Sequence, residues 1–333
     1  MKLARPTHWA SRNLKSWLLY PLSLVFMSLA RLRYLFYRTG VLSSWDAPVP
    51  VVVVGNIVVG GAGKTPLVLA LAKLLQNQSY SVGIVSRGYG GSTGSMPVVV
   101  APDSDPAVVG DESIMLAARS GLPVVVCTKR VSAVQLLLSY SACDIVLCDD
   151  GLQHYALKRD LEIAVVDSEY LYGNQFCLPA GPLREPVARL ASVDLVVQSG
   201  RDRLSPGYEL QGSTLVNLAD QSLTRTLESF SGGAVHAVAG IGSPQRFFDF
   251  LTSQGLTLYE HAKADHAVYQ RSDLEFDDDL PVILTEKDAV KCRQFGFRNC
   301  WYLPVYAVLD QQIEHKFLSS AARVTSEKKA LAN

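Results

Sequence analysis

The residues with the plainest chemistry are Gly60, Gly61, Ala62, Gly63, Lys64 and Thr65. Glycines let a backbone wrap a phosphate and reach positive φ. Their N–H groups and the positive end of a following helix face the anion. Lys64 would touch the β and γ oxygens of a nucleoside triphosphate, and the Thr65 hydroxyl would ligate Mg²⁺. The chemistry this implies is a phosphoryl group moved or hydrolysed. One position departs from the strict phosphate-loop pattern: Val58 stands where the first glycine belongs. The loop is therefore expected to depart from the standard conformation while keeping phosphate binding.

Further residues join this set. Asp149-Asp150 closes an apolar run from Asp144 to Cys148, which would place a carboxylate beside the loop to hold Mg²⁺ or its waters. Gly151-Leu152-Gln153-His154 follows at the same rim. Asp111, in Gly110-Asp111-Glu112, has two readings: a helix N-cap, or a carboxylate that accepts a proton from a substrate hydroxyl. His266, in Ala264-Asp265-His266, is either structural or the partner of a carboxylate across a cleft. Arg87, Lys129, Arg130, Arg184 and Glu185 fall near strand ends. Arginines there suit a phosphorylated substrate through bidentate contacts, with ordinary surface solvation as the alternative.

The elements that must position these groups are legible as a series. Val51–Val54 reads as a strand before the loop, and Leu67, Leu71, Leu74 and Leu75 mark a helix after it. Strands are expected at Val82–Ser86, Met96–Ala101, Pro123–Cys127, Asp144–Asp150, Leu161–Asp167 and Asp194–Gln198, with helices at Asp111–Ser120 and Val131–Leu138. This alternation predicts an α/β fold: a P-loop NTPase-like, mostly parallel sheet with helices on both faces and ligands at the strand C-termini. A second, smaller α/β domain is expected from strands at Ala234–Ala239, Pro281–Thr285 and Trp301–Pro304 and helices at Pro244–Gln254 and Ala289–Phe295. The polar stretch Arg201–Tyr208 reads as the boundary. The expected division is 1–40 for an N-terminal membrane-associated helix, 41–205 for the nucleotide-binding domain, 206–320 for the second domain and 321–333 for a flexible tail.

The chain has 333 residues, 48% of them apolar, and no net charge. That balance hides an asymmetry: residues 1–45 hold Lys2, Arg5, Arg12, Lys15, Arg31, Arg33 and Arg38 and no acidic residue. Such a block usually meets an anionic surface. Between Lys15 and Arg31 the chain is uncharged and apolar. It reads as an interfacial helix with Trp17, Tyr20, Tyr34 and Tyr37 at headgroup level. A single membrane span, a cleaved signal peptide and a buried helix are the alternatives. The six cysteines show no Cys-x-x-Cys spacing and read as small core residues.

Taken together, the chain resembles the tetraacyldisaccharide 4′-kinase (lipid A 4′-kinase) family of Gram-negative bacteria. The resemblance rests on Gly55-Asn56 through Gly60–Pro66, Ser86-Arg87-Gly88-Tyr89-Gly90, Gly110-Asp111-Glu112 and Asp149–His154. It continues in Gly181-Pro182-Leu183-Arg184-Glu185, Ala239–Phe248, Asp265-His266 and Thr285–Lys291. It implies transfer of the γ-phosphoryl of ATP, with Mg²⁺, to the 4′-hydroxyl of a lipid A disaccharide 1-phosphate precursor. The place implied is the cytoplasmic face of the inner membrane, with the protein peripheral or monotopic. Neither a nucleic acid nor a required protein partner is implied. By resemblance, Asp111 is the general base with His266 as its partner. Lys64 and Thr65 bind the triphosphate and Mg²⁺; Asp149 and Asp150, with Glu185, serve the metal. Arg87, Tyr89, Arg130 and His154 meet the substrate. A base split across two domains would form only on closure and so limit hydrolysis by water. A membrane-anchored nucleotide switch or metallochaperone ATPase is the alternative from another class, but the cysteine pairs or histidine run it would favour do not occur. A scaffold with a degenerate loop is a third, against which Lys64, Thr65 and both aspartates stand intact.

Overall fold

A computed structural model describes residues 6–200 and 203–332. Lys2 and Arg5 of the basic block, and the first two residues of the expected boundary, lie outside it.

Helix α1 (Leu14–Arg38) precedes the first sheet unit. That unit runs β1 (Val51–Gly55), α2 (Lys64–Asn77), β2 (Val82–Ser86), β3 (Val98–Val100), α3 (Pro106–Val109), α4 (Asp111–Ser120), β4 (Val124–Val126), α5 (Arg130–Tyr140), β5 (Ile145–Asp149), β6 (Leu161–Asp167), β7 (Leu195–Ser199) and β8 (Gly207–Gln211). The second unit holds β9 (Thr214–Asn217), β10 (Thr224–Thr226), β11 (Ala234–Ala239), α6 (Pro244–Ser253), β12 (Thr257–Ala262), β13 (Val282–Thr285), α7 (Glu286–Cys292) and β14 (Cys300–Leu303). The chain then returns with β15 (Tyr306–Leu309) and α8 (Gln311–Ala332).

The larger sheet has the order β15-β8-β7-β6-β1-β5-β2-β4-β3. Its interior pairs are parallel, and only the outer strands β3 and β15 pair antiparallel. The four valines of β1 are at most 1% exposed, the pattern of a strand covered on both faces. Val52 and Val54 face α2, α4 and α8, while Val51 and Val53 face α5. The smaller sheet, β10-β9-β14-β13-β11-β12, packs Phe247, Phe248 and Leu251 of α6 on one face and Ala289 and Cys292 of α7 on the other.

The structure corrects the expected domain limits. Strand β8 pairs with β7, and β15 pairs with β8, so both extend the first sheet, and the crossing to the second unit falls after Gln211. The tail expected to be flexible is the helix α8, because Ile313, Phe317, Ala321 and Val324 recur on one face and bury in the core of the first sheet. Five of the six cysteines are buried and all are free.

Helix α1 inverts the usual pattern. Its buried residues are Ser16 and Ser23, whereas Leu14, Leu18, Leu22, Val25, Leu29 and Leu32 are exposed. It is long and apolar enough to cross a membrane. Ser23 Oγ donates to the Cys177 carbonyl at 2.6 Å and accepts from the Ala180 amide at 3.0 Å. Trp17 and Tyr20 pack on Phe176. The reading of α1 as a buried helix is therefore excluded: the Ser23 hydrogen bonds and the packing of Trp17, Tyr20, Phe26 and Met27 dock one side, and its leucines point outward.

Candidate active site

The phosphate loop spans Asn56 to Gly63 between β1 and α2. Gly60 and Gly63 have φ of 111° and 79°, which a side chain would strain. Ser199 Oγ donates to the Ala62 carbonyl at 3.0 Å and the Tyr208 hydroxyl to that of Gly63 at 2.5 Å. A Cβ at Gly63 would overlap Tyr208. The front of the loop is held differently. The Val59 amide donates to Pro182 at 2.9 Å and the Arg184 amide to Ile57 at 2.7 Å, with Val58 bridged to Leu183. Val58 is thus a pairing residue, buried with Ile57, Cys177 and Leu183. This explains the departure from the glycine pattern.

Lys64 begins α2 and turns back over the loop. Its Nζ lies 3.4 Å from Asn56 Oδ1 and 3.5 Å from Asp150 Oδ1. Asp150, at φ 49°, also pairs with Arg184 at 3.1 Å. Burial would raise its carboxyl, but Lys64, Arg184 and Arg130 outweigh it and hold the group far below the usual range. The Thr65 hydroxyl donates to Asp149 Oδ2 at 3.3 Å. Asp149 Oδ1 is buried without a hydrogen-bond partner. Burial, then the nearby Glu112, push this carboxyl up to about 7 despite Lys64. A hydroxyl beside a buried carboxylate with one unpartnered oxygen fits a divalent cation. Among the described residues, no group of three or more His, Cys, Asp or Glu side chains is arranged to hold a metal alone.

Two of the expected roles meet a different environment. Arg130 is 2% exposed, and its guanidinium donates to the carbonyls of Cys127, Asp149 and Asp150. It braces the Asp149-Asp150 turn from within. Glu185 accepts from Gln153 at 2.8 Å and from the Tyr155 hydroxyl, and pairs with Arg189 at 3.7 Å. These partners set it in the wall beside the turn, where it and Asp150 line one cavity.

The second unit supplies the opposite wall. Asp111 starts α4 and is 4% exposed. Both of its oxygens lie 3.1 Å from Nδ1 of His266, a residue held at φ 58°. Lys291 Nζ lies 3.4 Å from Asp111 Oδ2. Burial raises the Asp111 carboxyl, but the His266 hydrogen bond and Lys287 outweigh it and set the group at about 2. Tyr89 packs edge-on against the His266 ring at 4.8 Å. A Cβ at Gly242 would lie 3.7 Å from the Gly61 amide nitrogen, so the loop after β11 sits over the phosphate loop. Arg246 of α6 then clasps Asp167, at the end of β6, through two bonds of 2.6 and 2.8 Å. On the other flank Arg119 donates to Glu286 at 2.8 Å. The sequence reading quoted Arg246 and Lys287 within motifs without assigning them roles, and it missed Asp167 and Arg119. Only tertiary pairing reveals them.

A cavity of about 510 Å³ opens beside Asp150. Phe26, Leu29, Ala30 and Arg33 of α1 form one side; Arg87, Gln153, His154 and Arg184 line the other. Burial, then Arg130 and Arg87, depress the His154 imidazole to about 3, so it is neutral at physiological pH. The structure thus gathers Asp150, Arg87, His154 and Glu185 around one opening, with Lys64 reaching Asp150 from the loop side. Asp111, His266 and Tyr89 form a second cluster where the units meet.

The description Tetraacyldisaccharide-1-P 4′-kinase fits residues 15–322 of the chain. A protein of Nitrosococcus oceani named tetraacyldisaccharide 4′-kinase is 45% identical over 324 residues, covering 96% of this chain and 95% of that one. One of Alkalilimnicola ehrlichii with the same name is 47% identical, covering 97% and 96%. The crystal structure of LpxK from Aquifex aeolicus in complex with ATP superposes with a TM-score of 0.77 at 27% identity, covering 93% of this chain and 99% of that one. On this breadth of agreement, the chain belongs to the tetraacyldisaccharide-1-P 4′-kinase family.

Proposed function

We propose that this chain transfers the γ-phosphoryl group of ATP to the 4′-hydroxyl of a tetraacyldisaccharide 1-phosphate, the lipid A precursor, at the membrane surface. The observation that carries the reading is the shared cavity: the apolar helix α1 forms one wall, and Asp150, His154 and Arg184 form the other. An acylated sugar needs both, an apolar approach for its chains and charged groups for its phosphate and reacting hydroxyl.

The loop amides and Lys64 hold the triphosphate. Thr65 and Asp149 would hold Mg²⁺, with Asp150 close by, and the ion would neutralise charge on the β and γ phosphates. Asp111 accepts the proton of the acceptor hydroxyl, and His266 orients the Asp111 carboxylate. A carboxyl at about 2 is a weak base, but phosphoryl transfer through a loose transition state asks mainly for position and charge. Arg87, His154 and Tyr89 receive the disaccharide and its phosphate. Arg130 and Glu185 brace the walls. The second unit over the loop excludes water from the γ-phosphate. Helix α1 rests on the cytoplasmic face of the inner membrane, with its exposed leucines in the apolar layer and its arginines on anionic headgroups.

The test is incubation of purified protein with γ-labelled ATP, Mg²⁺ and a tetraacyldisaccharide 1-phosphate. Label in a bisphosphorylated lipid supports the reading. Label only in inorganic phosphate refutes it.

A further inference from the structure

His266 is held from both sides. Nδ1 faces Asp111 at 3.1 Å, and Nε2 faces Lys287 Nζ at 3.0 Å. Lys287 also donates to Glu112 Oε1 at 2.8 Å and to Asp265 Oδ1 at 3.0 Å. An ammonium has three donors and no acceptor, so these three contacts use all of its N–H groups. Lys287 is 14% exposed at its side chain. Burial would lower its pKa, but Glu112, Asp111 and Asp265 hold it above the ordinary value, and it stays charged. The nitrogen facing it must carry a lone pair. Asp265 Oδ1, at 3.5 Å from Nε2, would favour a proton there, but the closer Lys287 cannot accept one.

We propose that Lys287 is a positioning residue for phosphoryl transfer: it fixes His266 as the neutral tautomer that carries its proton on Nδ1, toward Asp111. This rests on the reading of Asp111 and His266 under Proposed function. Lys287 ties the tautomer to domain approach, because Glu112 belongs to α4 of the first unit while Lys287, Asp265 and His266 belong to the second. The groups around the ring are Asp111 and Glu112 from α4, Asp265 from its own loop, Lys287 and Lys291 from α7, and the Tyr89 ring. Asp288 neutralises Lys291 at 3.0 Å. Without Lys287, three carboxylates surround an imidazole with a free Nε2, which then binds a second proton.

The test uses full-length protein in detergent, labelled with nitrogen-15 at histidine and assigned with His266→Asn. The wild-type spectrum is expected to show His266 protonated at Nδ1 and bare at Nε2 through neutral pH. In Lys287→Met, Nε2 takes up a proton as pH falls, and kcat acquires an acid limb absent from the wild type, losing about tenfold per pH unit below that titration. Lys287→Arg, again a donor without an acceptor, removes the limb. A wild-type ring protonated at Nε2 overturns the proposal, as does a Lys287→Met enzyme with an unchanged spectrum and pH profile. The wild-type spectrum decides the matter even where Lys287→Met fails to fold. If Asp111→Asn and His266→Asn both keep full turnover, the underlying reading of the pair fails instead.

Discussion

Asp111 and His266 stand 155 positions apart in the chain and 3.1 Å apart in space. One begins a helix of the first sheet unit; the other sits on a loop of the second at a φ that non-glycine residues rarely adopt. Their meeting joins the two units at the edge of a loop built for phosphate. Replacing Asp111 by Asn keeps the shape and removes the base. Turnover should fall roughly 10²–10⁴-fold while nucleotide affinity, measured by equilibrium binding, stays near wild type. Unchanged turnover would remove Asp111 from the chemistry.

Asp149 gives a pH signature for the metal. Its carboxyl titrates at 3.8 in the reference state and at about 7 in the fold. Between those values the folded state binds the extra proton, so stability falls as pH rises through that window. A cation at Thr65 and Asp149 would displace that proton and relieve the buried charge. The melting-temperature gain from Mg²⁺ with a non-hydrolysable nucleotide should therefore be larger at about pH 8 than at about pH 6. Asp149→Asn should flatten the difference.

The Arg246–Asp167 clasp predicts an asymmetry. Arg246→Ala leaves Asp167, 5% exposed, without its bidentate partner. Asp167→Asn leaves a guanidinium whose side chain is already 40% exposed. The first should cost about 1–3 kcal/mol and the second less, read as denaturant midpoints. Arg246→Ala should also raise KM for ATP, because the loop over Gly61 loses its nearest anchor. Equal losses from the two changes would argue against the clasp.

Helix α1 separates membrane binding from folding. Leu18 and Leu29 are 72% and 62% exposed, so Leu18→Glu with Leu29→Glu should leave the melting temperature unchanged and release the protein from anionic vesicles in flotation. Ser23→Val should do the reverse. It strands the Ala180 amide and removes one of the two donors to the Cys177 carbonyl, a loss of roughly 1–3 kcal/mol, and leaves the apolar face intact. Deleting residues 1–38 would confuse the two effects by stripping the cover of Phe26 and Met27 from Ile57 and Val58.

The local motifs were legible because their chemistry is short-range. Gly60–Thr65 and Asp149-Asp150 each declare a strand end, a turn and a charge within a few residues. What one segment does to another was not legible. Arg130 shows its charge in the sequence but not its burial beneath the Asp149-Asp150 turn. Strands β8 and β15 are short and gain their place by pairing with each other and with β7. The spacing of Ile313, Phe317, Ala321 and Val324 is helical, but the surrounding Lys, Glu and Ser residues masked it. Lys287 reaches Glu112, and Arg246 reaches Asp167, only when two units meet.

The central claim is that this two-unit site phosphorylates one defined alcohol. Phosphorus NMR of the lipid recovered after incubation with ATP and Mg²⁺ tests it most directly. The account predicts a second phosphate monoester coupled to the sugar proton at C4′, formed by the wild type and lost in Asp111→Asn and His266→Asn. A lipid with its original single phosphate beside accumulating inorganic phosphate, or a new ester at another carbon, would contradict it.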